Sequence, residues 1–284
     1  MTRTVYLNGE YLAEELAKIS IFDRSVLFGD AIYEVAGVSE GKLINFDSHI
    51  ERYLSSLQKL QISVPLNRDE ILNAFRKLIK LNRVVEGLVY MHISRGVADR
   101  DFIWQESLTP TVFMFTQTTP AALLELPEKG IKLSSHPDIR WARRDIKSAN
   151  LLAQVLAKKS AKDACADEVL LIDDEGYVTE CCSSSFFLIK DKQIITRPLN
   201  QDILAGRTRQ AIIKLCTENE IELVERKFKV QDALSADEAM TRAALVHMLP
   251  VIEIDGAVIG DGKPGEVYRQ LRAIYLELIQ ESKI

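Results

Sequence analysis

Short strand-like and helix-like runs alternate along this chain, and the alternation confines it to the mixed α and β folds before any single residue is weighed. Residues 5–7 and 11–12 flank Asn8-Gly9, a pair that takes the positive backbone angles of a tight hairpin turn. Residues 31–38 read as a strand, Glu40-Gly41 turns it into residues 42–45, and Asp47 is placed to cap a helix with Ile50, Tyr53, Leu54 and Leu57 on one face. Arg52 falls on the other face of that helix, where a solvated charge is the plain expectation. Asn67, Asp69 and Glu70 open a second helix, in which Ile71, Leu72, Phe75, Leu78 and Ile79 recur at helical spacing. Residues 88–94 and 111–116 are strand-like, and two prolines mark residues 119–128 as a linker.

The predicted organisation is therefore a first α/β domain over residues 1–118, the linker, and a larger α/β domain over residues 129–284. In the second domain, strands are expected at 131–134, 168–172, 186–189 and 221–224, and helices at 150–162 and 208–217. Asp255-Gly256 turns a hairpin between 251–254 and 258–259, and a final helix runs from Gly265. A chain of 284 residues that is 47% hydrophobic and 27% charged is long enough for two modest cores.

Composition also removes several functions. A net charge of -5 provides no basic footprint for nucleic acid. The first residues reach a turn signal before any apolar run long enough for a secretory signal, and no stretch is apolar enough to span a bilayer, so the expected location is the cytoplasm. Cys165, Cys181, Cys182 and Cys216 lack the C-x-x-C spacing of metal or redox sites and read as reduced, mostly buried thiols. No metal is expected.

Chemistry is expected in D-I-R-W-A-R-R-D-I-K-S-A-N-L-L, residues 138–152, where Lys147 stands among Arg140, Arg143 and Arg144. Nearby positive charge disfavours the ammonium form of a lysine and makes its amine a better nucleophile and base. On spacing alone, a lysine so placed is more often a solvated surface charge.

This segment resembles the cofactor-lysine segment of the fold-type IV pyridoxal-phosphate enzymes, most closely the D-amino-acid (D-alanine) aminotransferases. The resemblance continues in family order through D-R-S-V-L-F-G-D-A-I-Y-E-V (23–35), H-I-E-R (49–52), S-R-G (94–96), V-T-E (178–180), I-L-A-G-R-T-R (203–209) and P-V-I-E-I-D-G (250–256). It implies a two-domain fold-type IV enzyme, branched-chain-aminotransferase-like in its sheets, that works as a homodimer. It also implies pyridoxal 5'-phosphate held on Lys147 as a Schiff base, and an amino group passed from a D-amino acid to a 2-oxo acid such as 2-oxoglutarate or pyruvate.

The same resemblance assigns the remaining roles. Glu180 faces the cofactor's ring nitrogen, while Arg52, Leu204, Arg207 and Thr208 serve the cofactor, the last two at a helix start suited to a phosphate. Ser184, with Ser183 and Ser185, reads equally as a hydroxyl near the cofactor and as a turn former. Tyr33 and Arg100 take the substrate. Three departures from the family pattern stand out: Arg207 where a small aliphatic is common, Ala243-Ala244-Leu245 where small hydroxyl residues are usual, and Phe102 in place of a histidine. An aminodeoxychorismate lyase, to which Glu180-Cys181-Cys182 leans, and a branched-chain aminotransferase are the other enzyme readings. A catalytically silent small-molecule binding protein would require loss of Lys147 or Glu180, and both are present.

Overall fold

In the computed structural model, residues 2–243 and 247–284 are described, with Arg207, Thr208, Ala243 and His247 described for their backbone only. By their contacts these residues divide into two compact units: Met1–Thr119 with Ile146–Asn150 and Glu281–Ile284, and Pro120–Asp145 with Leu151–Gln280.

The first unit is a six-stranded antiparallel sheet backed by two helices. Strands β1 (Thr4–Leu7) and β2 (Glu10–Ala13) form the N-terminal hairpin, with Asn8 and Gly9 both at positive φ, as a tight turn requires. A short helix α1 (Arg24–Phe28) is capped by Asp23, whose carboxylate accepts from the Ser25 N–H at 2.8 Å. Next come β3 (Ala31–Ser39), β4 (Lys42–Leu43), α2 (Phe46–Leu60), α3 (Arg68–Asn82), β5 (Gly87–Ser94) and β6 (Thr111–Thr118), and the sheet order is β2-β1-β6-β5-β3-β4. Asn67 and Glu70 close a reciprocal capping box at the start of α3. Asp47 does not cap α2: the cap position is Asn45 in the left-handed region, and Asp47 lies in the first turn, its carboxylate accepting from Arg68 Nε at 2.6 Å. One sheet face turns Ile32, Ala36, Val89, Met91 and Met114 into the core with Phe46, Leu57, Phe75 and Leu78 of the helices.

The second unit opens with two single-turn helices, α4 (Ala121–Leu124) and α5 (Leu126–Lys129), in the stretch expected to be a plain linker. The elements that follow are β7 (Ile131–Pro137), α6 (Leu152–Asp163), β8 (Glu168–Ile172), β9 (Val178–Cys181), β10 (Ser185–Lys190), β11 (Gln193–Thr196) and α7 (Arg207–Glu218). Then come β12 (Leu223–Glu225), α8 (Val230–Leu234), β13 (Glu238–Ala243), β14 (His247–Ile254), β15 (Ala257–Val258) and α9 (Glu266–Glu281). Among the described residues the sheet order is β12-β11-β10-β13-β14-β7-β8-β9, with β15 on β14. Parallel pairs β14–β7, β7–β8 and β11–β12 sit beside antiparallel ones, which gives the mixed α/β class expected from the sequence.

The division of the chain differs from the sequence expectation in one respect that matters for the site. Residues 129–284 were expected to form one domain carrying the cofactor lysine, whereas Ile146–Asn150 groups with the first unit. The reason is backbone pairing along the open edge of β3: the Tyr33 N–H donates to the Lys147 carbonyl at 3.0 Å, the Ala149 N–H donates to the Ala31 carbonyl at 2.9 Å, and Ile32 pairs with Ser148. This segment completes the edge of a sheet that β4 extends only at its far end. The last residues join the same unit, Leu43 and Ile284 exchanging two backbone bonds of 3.0 Å.

Candidate active site

In the first unit, alternation along β3 sends Tyr33 and Glu34 to opposite faces. Lys147 lies across from Tyr33 on the paired edge segment, and its Nζ stands 4.1 Å from the centre of the Tyr33 ring. The lysine is half-buried, and among the described residues no carboxylate pairs with it. A cation on a π face with no counter-ion is held without being neutralised.

Glu34, only 2% exposed, lies on the helix-covered face, where an unpaired charge would be very costly. It accepts from Arg52 Nε at 2.7 Å and Nη2 at 2.8 Å, and from His49 Nδ1 at 3.1 Å, all from α2. A carboxylate can only accept, so Nδ1 carries the His49 ring proton. Burial works against the ionised Glu34, but the Arg52 guanidinium and the His49 ring outweigh it and hold its pKa well below the carboxylate range. Burial lowers the His49 pKa, with Glu34 opposing and Arg52 and Lys147 assisting, so the ring is neutral at pH 7. Arg52 is thus no solvated charge on an outer helix face. It is 8% exposed, and Glu34, 18 positions earlier in the chain, is what makes its burial tolerable.

Arg100 lies in the loop between β5 and β6 and is exposed. Its guanidinium carbon stands 5.7 Å from the Phe28 ring and 5.5 Å from the Phe102 ring, and these two rings pack 5.5 Å apart. Phe102, a departure from the family pattern, therefore seats Arg100 through its ring face. Among the described residues, Arg100 meets these two rings and neither Tyr33 nor Lys147.

In the second unit, Glu180 at the end region of β9 is 6% exposed. Arg140 Nη1 donates to its Oε1 at 2.5 Å, and the Leu204 N–H donates to the same oxygen at 3.3 Å, so neither bond uses Oε2. Arg140 is itself held by Asp138, Nη2 to Oδ2 at 2.7 Å and Nε to Oδ1 at 2.8 Å, and Thr179 donates to Asp138 as well. Burial pushes the Glu180 pKa up and Arg140 offsets this only in part. A buried carboxylate with one oxygen committed and, among the described residues, the other uncommitted suits a protonated ring nitrogen as partner.

The arginines around Lys147 do not form the unopposed positive field inferred from their spacing. Arg140 has Asp138 and Glu180, Arg143 has Asp145 at 2.9 Å, and Arg144 has Asp138 and Asp202. The same stretch supplies two of those partners, Asp138 and Asp145.

Gly206 is the N-cap of helix α7, and among the described residues no side chain caps it. A Cβ on Gly206 would stand 2.9 Å from the Ser185 hydroxyl, so a glycine is needed for this close approach. The side chains of Arg207 and Thr208 lie outside the described residues, as do Ala244 and Leu245. An uncapped twelve-residue helix start with a glycine at its mouth is the donor set a phosphate needs. The Cys181 N–H donates to the Ser184 carbonyl at 2.9 Å, which is the turn-forming behaviour, while the Ser183 hydroxyl donates to Glu168 at 3.2 Å. Burial raises the Cys182 thiol to about 12, so it is protonated and inert.

Among the described residues there is no cluster of three or more His, Cys, Asp or Glu able to hold a metal, and no helix long and apolar enough to cross a membrane.

Glu34 and His49 stand inside I-Y-E-V and H-I-E-R, yet neither motif by itself shows that the two meet. The available signal was alternation: with Tyr33 on one face of β3, Glu34 must enter the other, where helix α2 brings H-I-E-R. Arg140 was read for its charge rather than as the partner of Glu180.

The family model for amino-transferase class IV matches residues 31–254. The chain is 38% identical over 282 residues to a D-alanine aminotransferase of Staphylococcus epidermidis, covering 99% of both chains. In fold it is similar to the branched-chain amino acid aminotransferase of Escherichia coli, with a TM-score of 0.92, 24% identity, and coverage of 98% of this chain and 95% of that one. The branched-chain amino acid aminotransferase of T.th., solved with pyridoxamine 5'-phosphate, gives a TM-score of 0.89 at 24% identity over 99% and 95% of the two chains. The motifs, the mixed sheets and the near-complete match to curated relatives converge, and the chain belongs to the class IV aminotransferases.

Proposed function

We propose that this enzyme uses pyridoxal 5'-phosphate to transfer the amino group of a D-amino acid, of the D-alanine and D-glutamate class, to a 2-oxo acid. The observation that carries the reading is Lys147: an ammonium seated on an aromatic ring, without a carboxylate partner among the described residues, in the D-I-K-S segment of the family. Near-full-length similarity to a D-alanine aminotransferase supports the D-side substrate.

When bound, the cofactor supplies an aldehyde for amines and a ring that takes up the electron pair of a broken substrate C–H bond. Lys147 would hold the cofactor through Nζ, and the same amine would serve as the base that takes up the proton of the substrate α-carbon. Glu180 would accept a hydrogen bond from the cofactor's ring nitrogen and favour its protonated form, Arg140 fixing the carboxylate through Oε1. Arg52, Arg207, Thr208 and the backbone from Leu204 onward would serve the phosphate, Glu34 fixing the Arg52 guanidinium. Ser184 contributes from the turn before β10. Tyr33 and Arg100 orient the substrate, Arg100 by gripping its carboxylate.

The working form is a homodimer in the cytoplasm. Support for self-association comes from the exposed Leu152, Val155 and Leu156 on α6, an apolar stripe at helical spacing, and from the exposed Leu16, Ile21, Phe22 and Val26 of the first unit. Light scattering on the purified protein is expected to give twice the chain mass.

The test is an assay with D-alanine and 2-oxoglutarate, following pyruvate. Turnover with D-alanine and not with L-amino acids or aminodeoxychorismate is expected. Preference for L-leucine would favour the branched-chain reading, and pyruvate from aminodeoxychorismate the lyase. Arg100→Ala is expected to lower kcat/KM for D-alanine by at least about tenfold, the equivalent of about 1.4 kcal/mol. A change below about threefold, the scatter of ordinary surface substitutions, would place the carboxylate elsewhere.

A further inference from the structure

The ring under Lys147 is one end of an aromatic ladder on the face of the first sheet that alternation turns away from Glu34. Tyr33 stacks on Tyr90 of β5 with centroids 5.5 Å apart and planes at 18°, and Tyr90 stacks on Phe115 of β6 at 4.7 Å and 19°. Beside them, His92 stacks on Phe113 at 4.5 Å and 12°. The strand order explains the arrangement. Lys147 approaches Tyr33 from the edge segment and Tyr90 from the neighbouring strand on the other side, so the Tyr33 ring is held between an ammonium and a second ring. The Tyr90 hydroxyl reaches within 3.4 Å of His92 Nδ1, which ties the Tyr90 ring to the next pair of the ladder. Burial lowers the His92 imidazole to about 4, so the ladder carries no positive charge of its own to compete with the lysine.

We infer that Tyr90 is a positioning residue for Lys147, acting through the ring of Tyr33. A cation–π seat works only while the ring stays under the cation, and Tyr33 is half-buried, so the rings beside it decide its tilt. Tyr90 supplies the opposing face that stops the tilt, and Phe115 supplies the face behind Tyr90. The inference rests on the reading of Lys147 as the amine that takes the cofactor.

The experiment measures how fast cofactor-free full-length protein captures added pyridoxal phosphate at Lys147, by the absorbance of the lysine-linked cofactor and its circular-dichroism intensity. Tyr90→Leu is expected to slow capture about two- to tenfold, the range implied by one aromatic pair. Tyr90→Phe keeps the ring and is expected to restore the wild-type rate. In a Tyr33→Leu background, which removes the seat itself, Tyr90→Leu is expected to add nothing. Tyr90→Met keeps the volume without the flat ring and carries the same expectation should the leucine variant fail to fold. Wild-type capture by Tyr90→Leu, or the same slowing with and without Tyr33, would overturn the inference and leave the functional reading standing. No lysine-linked absorbance in the wild-type protein would overturn both.

Discussion

Lys147→Ala is expected to abolish transamination while leaving the fold in place. General acid–base catalysis alone is worth about 10²–10⁴ in rate, and in the proposed function the lysine also holds the cofactor, so kcat is expected to fall by at least about 10³. The fold is expected to tolerate the change because the side chain rests on the face of Tyr33, and the segment is held to β3 by backbone bonds that alanine keeps. Steady-state kinetics with far-ultraviolet circular dichroism on the same sample decide it. A variant with near wild-type turnover would remove Lys147 from the chemistry, and an unfolded one would show that its role is structural.

Glu34→Ala is expected to cost about 3–5 kcal/mol of stability, the usual consequence of breaking a buried ion pair from one side. Arg52 and His49 would lose the carboxylate that makes their burial tolerable. Out of a total of about 5–15 kcal/mol for an ordinary domain, that loss is large, and urea unfolding reads it directly. The pH dependence has a definite sign. The pKa of Glu34 is lower in the folded state, so in acid the unfolded chain binds more protons and stability rises with pH. Its contribution is complete above the unfolded value of about 4.3 and is lost as pH falls towards the folded one. The stability difference between wild type and Glu34→Ala should therefore be constant near neutrality and shrink in acid below about pH 4. A difference that grew on acidification, or stayed under about 1 kcal/mol at pH 7, would mean that the Glu34–Arg52 pair is not what supports this face.

Local signals were the legible part of the sequence. Asn8-Gly9 set a hairpin and Asn67 with Glu70 set a capping box, because each acts over a few residues and has few competing outcomes. Helix α1 was missed since five residues cannot show a period; its one trace was Asp23 before Ser25. The placement of Asp47 went wrong for a non-local reason, since Arg68 claims its carboxylate. The site divides in the same way. Lys147, Glu180, Tyr33 and Arg52 stand out as candidates from motifs, but motifs do not show what each touches. The Glu34–Arg52 pair spans 18 positions, and Arg140 reaches Glu180 across 40, so spacing could not reveal either. Nor could composition show that the arginines near Lys147 are individually paired.

The most direct measurement is the position of the cofactor. Purified protein loaded with pyridoxal phosphate, reduced with borohydride, digested and sequenced by mass spectrometry is expected to carry the pyridoxyl group on Lys147. Recovery of that group on any other lysine, or on none, would contradict the account.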